Sequence, residues 1–445
     1  PSSPARARLR SPAPPPPGPP PPAGRLDRDA LATLLWHTAA VNLRSGGLHF
    51  RTAPSSGALF ATELYLAVRD VPGLAPGLWH YDGSRHALHR LGDRLPVPED
   101  LGSEHHAAVH VVATALFRRS GHKYRDRTYR YVLADLGHAL ENLRAAAAAL
   151  SLPVAFVPAF DDARAAATLG LDQAEEGVLA LLALGGPVAP PGVPAAMAAT
   201  APRWRAPLPE ASAVLGVTDA IHRATSLQRA AGASAAVVSP GPAAPVHGGP
   251  IALPAPARGG LGVLERIAQR RTIRRYRDAP IKLPVLSALC DAMARRQGPQ
   301  LSSAVRIHVV AQAIEGLPPG AWHYDAAGHA LAPSGTSVRR SAELRATTRR
   351  AALDQDVAGD AAAVFVLAID RAGLAADPGG AARGYRHAFI EAGLVGERLY
   401  LEGVAQGLGV CGIGAFYDDE ASTLVGVDSA REWIVHFAAV GVTGA

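Results

Sequence analysis

Apolar positions at 31–40 (LATLLWHTAA) recur at helical spacing, whereas 60–68 alternates as a strand. Turn signals follow, then a second strand ending at Trp79-His80-Tyr81-Asp82. The pattern next predicts a strand over 107–115, a long helix over 131–150, a short strand over 154–157, an Ala-rich helix over 163–168 and a closing strand over 178–184. Residues 1–24 break all periodicity with PPPPGPPPP and predict an extended, disordered arm. Residues 186–260 are rich in Pro, Ala and Gly and predict a linker carrying one helix at 210–230.

After the linker the pattern begins again. Gly73-Leu74-Ala75-Pro76-Gly77-Leu78-Trp79-His80-Tyr81-Asp82, with His86-Ala87-Leu88 behind it, returns as Gly316-Leu317-Pro318-Pro319-Gly320-Ala321-Trp322-His323-Tyr324-Asp325 and His329-Ala330-Leu331. Ala159-Phe160, Asp162 and Leu171-Asp172 return as Ala415-Phe416, Asp418 and Val427-Asp428. A repeat of that length predicts two copies of one α+β domain, at 25–185 and 261–445, and a pseudo-twofold dimer within one chain. The recurrence of His80 and His323 in both copies points to a structural duty such as satisfying a turn, because a catalytic group is needed only in the working site.

Composition narrows the classes. The 445 residues suffice for two domains with real cores, and 48% hydrophobic with 18% charged residues describes a globular protein. No apolar run reaches the roughly 18 residues of a membrane span, and the chain, which opens on Pro1, carries no signal-peptide pattern. Cys290 and Cys411 are too few for a disulfide framework or a cysteine metal site, so a cytoplasmic setting is expected. Net charge is only +6, with basic residues scattered, which argues against nucleic acid. No His, Asp or Glu grouping has metal-ligand spacing, and His37, His122 and His138 read as packing or surface residues.

The basic residues do cluster once. Arg270-Arg271-Thr272-Ile273-Arg274-Arg275-Tyr276, delivered by a predicted helix at 264–269, puts four guanidinium groups and a hydroxyl within seven residues. Planar forked donors suit phosphate oxygens, so the stretch is either a phosphate receptor or a solvated basic helix end. Lysine is the rarer cation: of 44 basic residues only Lys123 and Lys282 are lysines. An amine can lose its proton near neutral pH and a guanidinium cannot, which gives each lysine a reading beyond chance.

Taken together, the motifs resemble a known family. Arg-Arg-Thr-x-Arg, a Pro-Ser-Ser-Gly-Ala turn feeding a strand, the Pro-Gly-x-Trp-His-Tyr-Asp hairpin, Lys-Tyr ahead of Tyr-Arg-Tyr, and Gly-Leu-Gly-Val-Cys-Gly-Ile-Gly are similar to the FMN-dependent nitroreductase fold. Within that fold the pattern most resembles the SagB-type azoline dehydrogenases, which oxidise thiazoline and oxazoline rings of ribosomally made peptides to azoles. The resemblance covers about 30–185 and 262–443. It implies an α+β tandem pseudo-dimer, an FMN cofactor, an azoline peptide as substrate and a cyclodehydratase of the same pathway as partner. Association of the pseudo-dimer into larger oligomers is left open.

In the family each flavin site draws on two subunits, so differences between the halves carry information. Arg270, Arg271, Thr272 and Arg274 match the phosphate motif, against a broken Arg8-Leu9-Arg10-Ser11 in the first half. The resemblance assigns the backbone amides of Gly412, Ile413 and Gly414 to the flavin pyrimidine edge, where the first half has Phe156-Val157-Pro158. Conversely Pro54, Ser55, Ser56 and Gly57, the turn assigned to the isoalloxazine, keep only Leu301-Ser302-Ser303 in the second half, and Lys123-Tyr124 is replaced by Gly379-Gly380. The losses are complementary and imply one composite site and one FMN per chain. The basic residue that such proteins add to the phosphate from a C-terminal tail is absent before Gly444-Ala445; Arg6, Arg8 or Arg10 are candidate substitutes.

Aromatising an azoline removes a proton and a hydride from neighbouring ring carbons. Lys123, expected to be desolvated beside the flavin, is the candidate general base, and Tyr124 shares the proton or orients the ring. Against this stands a plain surface lysine in a loop. Two rival functions remain open: an NAD(P)H-fed nitro or quinone reductase on the same fold, and a flavin-free scaffold or peptide-binding pseudo-enzyme. Asp135 and Glu391, at matching helix positions, read as interface or cap residues.

Overall fold

The computed structural model describes residues 6–8, 24, 26–45, 48–92, 98–103, 105–186, 216–228, 249–257, 259–295, 300–335 and 341–444. The chain divides into two compact units, one of residues 1–236, 297–301 and 377–390, the other of residues 237–296, 302–376 and 391–445.

The first unit is built on a sheet of β1 (Arg6–Arg8), β4 (Thr62–Val68), β5 (Gly77–Asp82), β6 (Ala87–Gly92), β7 (Val109–Leu116), β8 (Val154–Phe156) and β9 (Glu176–Leu184), with β2 (Val41–Ser45) and β3 (Leu48–Arg51) as a separate hairpin. Its order is β1-β6-β5-β4-β7-β9-β8, and every neighbouring pair is antiparallel. The helices are α1 (Arg28–Ala39), α2 (Phe117–Tyr124), α3 (Thr128–Ala149), α4 (Asp162–Leu169) and α5 (Gly216–Thr225). Asp27 caps α1 by accepting from the amides of Asp29 and Ala30. Both Asp161, which accepts from the Arg164 amide, and Gly170, left-handed at φ 64°, bound α4. Tyr65, Val112, Leu181, Phe160 and Leu169 form a core beneath α4.

The second unit repeats the plan. Its sheet comprises β10 (Ile251–Ala252), β12 (Val305–Ala311), β14 (Gly320–Asp325), β15 (Ala330–Ser334), β16 (Ala363–Asp370), β17 (Leu408–Ile413) and β18 (Glu432–Val442), ordered β10-β15-β14-β12-β16-β18-β17, the order of the first sheet. A small parallel pair, β11 (Ile281–Lys282) and β13 (Ile314–Glu315), stands apart. Helices α6 (Val263–Gln269), α7 (Leu283–Ala294), α8 (Ser341–Ala351), α9 (Asp356–Gly359) and α11 (Asp418–Val425) accompany it, and α10 (Gly380–Ala405) begins among the residues of the first unit. Register confirms the repeat: Phe156 stands opposite Leu182 and Gly412 opposite Ala438, two residues from the same pairing of Val154 with Leu184 and Val410 with Val440.

Several expectations shift. Strand β4 starts at Thr62 because Phe60 has φ 47°, outside strand geometry. The arm expected to be disordered contributes β1, and apart from Gly24 the rest of it lies outside the described residues, as do the side chains of Arg6, Arg8 and Arg10. Within the stretch read as linker, α5 packs into the first unit with Thr218, His222 and Thr225 buried, while β10 edges the second sheet. Lys123 sits at the end of a helix rather than in a loop. His86 and His329, not His80 and His323, serve the repeated turn: each adopts positive φ and meets Tyr81 or Tyr324 Oη through Nδ1 at 2.8 Å. His80 instead reaches Glu63 across the strands at 2.7 Å. No helix among the described residues is long and apolar enough to cross a membrane.

Candidate functional site

The phosphate-motif residues assemble inside the second unit. Helix α6 ends with Arg270 as its C-cap, and the chain then runs beside β17: Thr272 bridges Val410 in parallel, and the Ile273 amide donates to the Val410 carbonyl at 3.0 Å. Two glycines permit this close approach. A Cβ at Gly409 would stand 2.8 Å from Ile273, and one at Gly441 would stand 2.5 Å from the Tyr276 ring.

Arg270 is buried, with Nε 3.9 Å from Glu397 and its guanidinium 5.4 Å from the Tyr400 ring centroid. Its Nη1 lies 3.5 Å from Thr272 Oγ1, which is 3.3 Å from Tyr400 Oη. Arg271 turns back and donates to the carbonyls of Ala268 and Arg270; burial, then the charge of Arg270, lowers its pKa. Arg274 is exposed. A buried guanidinium, a hydroxyl and an exposed guanidinium fit a phosphate monoester, which is the end of FMN that such donors hold.

The residues expected at the pyrimidine edge lie at the end of β17. The Gly412 amide donates to Tyr400 Oη at 2.6 Å, so this N–H is engaged within the unit. Burial pushes the Tyr400 phenol up to about 12, which keeps it a neutral acceptor and donor at physiological pH. Ile413 closes β17 with its side chain buried, and Gly414 follows it. A Cβ at Gly412 would lie 3.3 Å from the His436 ring and 3.4 Å from Tyr400 Oη.

The other predicted residues assemble inside the first unit. After Pro54, Ser55 Oγ donates to Asp135 Oδ2 at 2.8 Å; Ser56 donates through its amide at 2.9 and 3.0 Å and through Oγ at 2.9 Å. Gly57 follows with φ 62°, and a Cβ there would meet Tyr124 Oη at 2.6 Å and Lys123 Nζ at 2.9 Å. The lysine and tyrosine therefore lie against the bare face of Gly57. Tyr124 packs on Tyr131, ring centroids 4.5 Å apart. The expected desolvation of Lys123 is not seen in the chain as it stands, for the residue is exposed.

Sequence reasoning missed Asp135, Tyr400 and Glu397, which organise these two groups. Asp135 does not cap its helix: it sits mid-helix in α3, and its carboxyl clamps the serine turn. Burial raises that carboxyl to about 6 against the lowering effect of the Ser55 and Ser56 donors. Glu391, its counterpart, lies 3.5 Å from Arg398 instead. The signal for Asp135 was two adjacent serines needing an acceptor, and only the fold identifies which acid supplies it.

A profile of the nitroreductase family matches residues 23–186 and 267–442, together well over half of the sequence. The chain belongs to the nitroreductase family. A Methanocaldococcus jannaschii protein that carries the name nitroreductase is 33% identical over 124 residues, covering 25% of this chain and 60% of its own length. The chain thus spans 60% of the length of the curated relative it matches. Among solved structures, a nitroreductase-named protein from Anabaena variabilis has a TM-score of 0.76 at 23% identity and covers 93% of this chain and 88% of its own. That likeness shows the fold across both halves of the chain. One from Ralstonia eutropha covers 47% of this chain and 96% of its own at a TM-score of 0.37 and 23% identity.

Proposed function

We propose that this chain uses FMN to carry two electrons from NAD(P)H to a nitro or quinone acceptor. The family assignment supports the class of chemistry, and one observation carries the cofactor: the Thr272 to Val410 bridge draws Arg270, Thr272 and Arg274 together at the start of β17. Those residues would hold the phosphate, with Glu397 steadying Arg270 and Tyr400 tying Thr272 to Gly412. When bound, FMN supplies reversible hydride acceptance and donation.

The test is a visible spectrum of the purified protein with flavin and chain both quantified, followed by anaerobic NADPH. One FMN per chain, bleached by NADPH, is the expected result. Flavin that stays oxidised under NADPH sinks the reductase reading, and protein that stays colourless after FMN is added points to a scaffold instead.

A second reading, azoline dehydrogenation of a peptide, is favoured by Lys123 and Tyr124 lying together against Gly57. Here Lys123 accepts the proton from the ring carbon and Tyr124 orients the ring. Enclosure by the bound peptide would supply the desolvation that the exposed lysine lacks. A thiazoline peptide turned over without NADPH supports this reading, and Lys123→Arg should then keep the flavin and lose most turnover. Unchanged turnover removes Lys123 from the reaction.

A further inference from the structure

The turn at 54–60 is an unusual piece of backbone. Gly57, Ala58 and Phe60 all have positive φ, at 62°, 54° and 47°, and two of the three carry a Cβ. Left-handed backbone costs roughly 1 kcal/mol or more at each such residue and persists only where surrounding bonds over-determine it. Those bonds converge on one group. Ser55 Oγ accepts from the Phe60 amide at 3.0 Å and passes its own proton toward Asp135, while Ser56 spends both its amide and its hydroxyl on the same carboxyl. Everything that reaches Asp135 from the turn is a donor, which is the complement of an ionised carboxylate.

The second unit provides the control. At Leu301-Ser302-Ser303 none of the residues has positive φ; Ser302 Oγ accepts from the Ala304 amide, and Glu391 is beside Arg398. Among the described residues, a carboxylate clamp and a left-handed turn occur together in the first unit.

We propose that Asp135 is a positioning residue: its carboxylate sets the 54–60 turn, and through the bare Cα of Gly57 it sets where Lys123 Nζ and Tyr124 Oη stand toward substrate. The inference rests on the azoline reading of Lys123. Misplacement of a reacting group by about 1 Å costs up to about a hundredfold in rate, so loosening the turn acts on kcat.

The experiment uses the full flavin-loaded chain. Asp135→Asn offers one acceptor where the carboxylate offers two and adds an NH2 facing donors. Amide exchange of peptides spanning 54–60 is expected to quicken about tenfold, and rates are compared at equal flavin occupancy. With a synthetic thiazoline peptide, kcat falls about tenfold and KM stays within twofold. In a Lys123→Arg background Asp135→Asn adds no further loss, because both changes act through one group. Exchange at 54–60 that matches wild type overturns the proposal, as does an equal kcat loss in both backgrounds. Silent Lys123→Arg sinks the azoline reading instead, and the exchange measurement, which needs no turnover, still decides whether Asp135 holds the turn. Should Asp135→Asn fail to fold, Ser55→Ala removes the relay to Phe60 alone and is expected to quicken exchange by a smaller factor; no change there overturns the proposal too.

Discussion

The edge strands β8 and β17 occupy the same place in their sheets, yet what faces them differs. In the second unit Gly412 lets Tyr400 and His436 approach so closely that a Cβ would stand 3.3–3.4 Å from them, and Arg270 enters beside Glu397. In the first unit the equivalent of Gly412 is Phe156, and the equivalent of Tyr400 is Arg144. Arg144 is buried, bonds Glu141 at 3.2 Å and lies 5.6 Å from the Phe156 ring centroid. An arginine from within the helix meets the acid there, whereas the second unit brings Arg270 from a separate segment to Glu397. The difference teaches that one fold can satisfy the same buried acid from within its helix or from a distant segment, and that only the second choice places a guanidinium beside the glycine-bearing edge.

The sharpest way to break this comparison is through flavin content. Arg270→Ala with Arg274→Ala removes two charge-assisted contacts of about 1.5–3 kcal/mol each, so FMN should bind at least about a hundredfold more weakly in a fluorescence titration. Arg144→Ala should leave that titration unchanged, and an equal loss there would mean the first unit still works a flavin.

Next in size is the acid that begins α4 and α11. Asp162 is buried between Arg383 and Arg386, at 3.0 and 2.5 Å; burial pushes its carboxyl up, but the two arginines outweigh burial and hold it below its usual range. Both arginines lie at 0% side-chain exposure, so Asp162→Asn strands two cations and should cost about 3–5 kcal/mol in urea denaturation. Its repeat partner Asp418 is exposed, and Asp418→Asn should stay within about 0.5 kcal/mol.

Asp135 predicts a pH effect. Its folded pKa of about 6 exceeds the ordinary 3.8, so the folded chain binds this proton more tightly. Its contribution to stability is therefore greatest below about pH 4 and declines as pH rises to about 6, by at most about 3 kcal/mol. Asp135→Asn should flatten that part of the profile in denaturation midpoints taken from pH 4 to 7; an unaltered slope would assign the dependence elsewhere.

The smallest expected effect comes from exchanging the edge residues. Gly412→Phe should weaken FMN at least about tenfold by pushing Tyr400 and His436 aside, while Phe156→Gly should leave the count at one per chain, since Arg144 and Glu141 remain. A count of two after Phe156→Gly would place the block in that one ring.

Much of the fold was legible because periodicity and turn chemistry are local. The Tyr-Asp hairpin, the 163–168 helix ended by Gly170 and the 131–150 helix each announce themselves within their own residues. The arginine run at the end of α6 was equally plain. Tyr400 was not, because nothing near it in sequence says that its hydroxyl meets the Gly412 amide twelve residues on, after the chain has turned from helix to strand. Nor was α5, whose Thr225 and His222 are buried against Arg386; burial first and then that cation lower His222 to about 3, keeping it neutral.

Order along the chain is enough to say that one domain occurs twice, with the Arg270–Arg274 cluster in the second copy and the Lys-Tyr pair in the first. Repeats and clustered charge are properties of order along the chain. Folding in three dimensions settles which acid clamps the serine turn, which phenol ties Thr272 to β17 and which arginine lies beside Phe156. Those choices depend on burial, because a polar group removed from water must find its partner in space, wherever along the chain that partner lies.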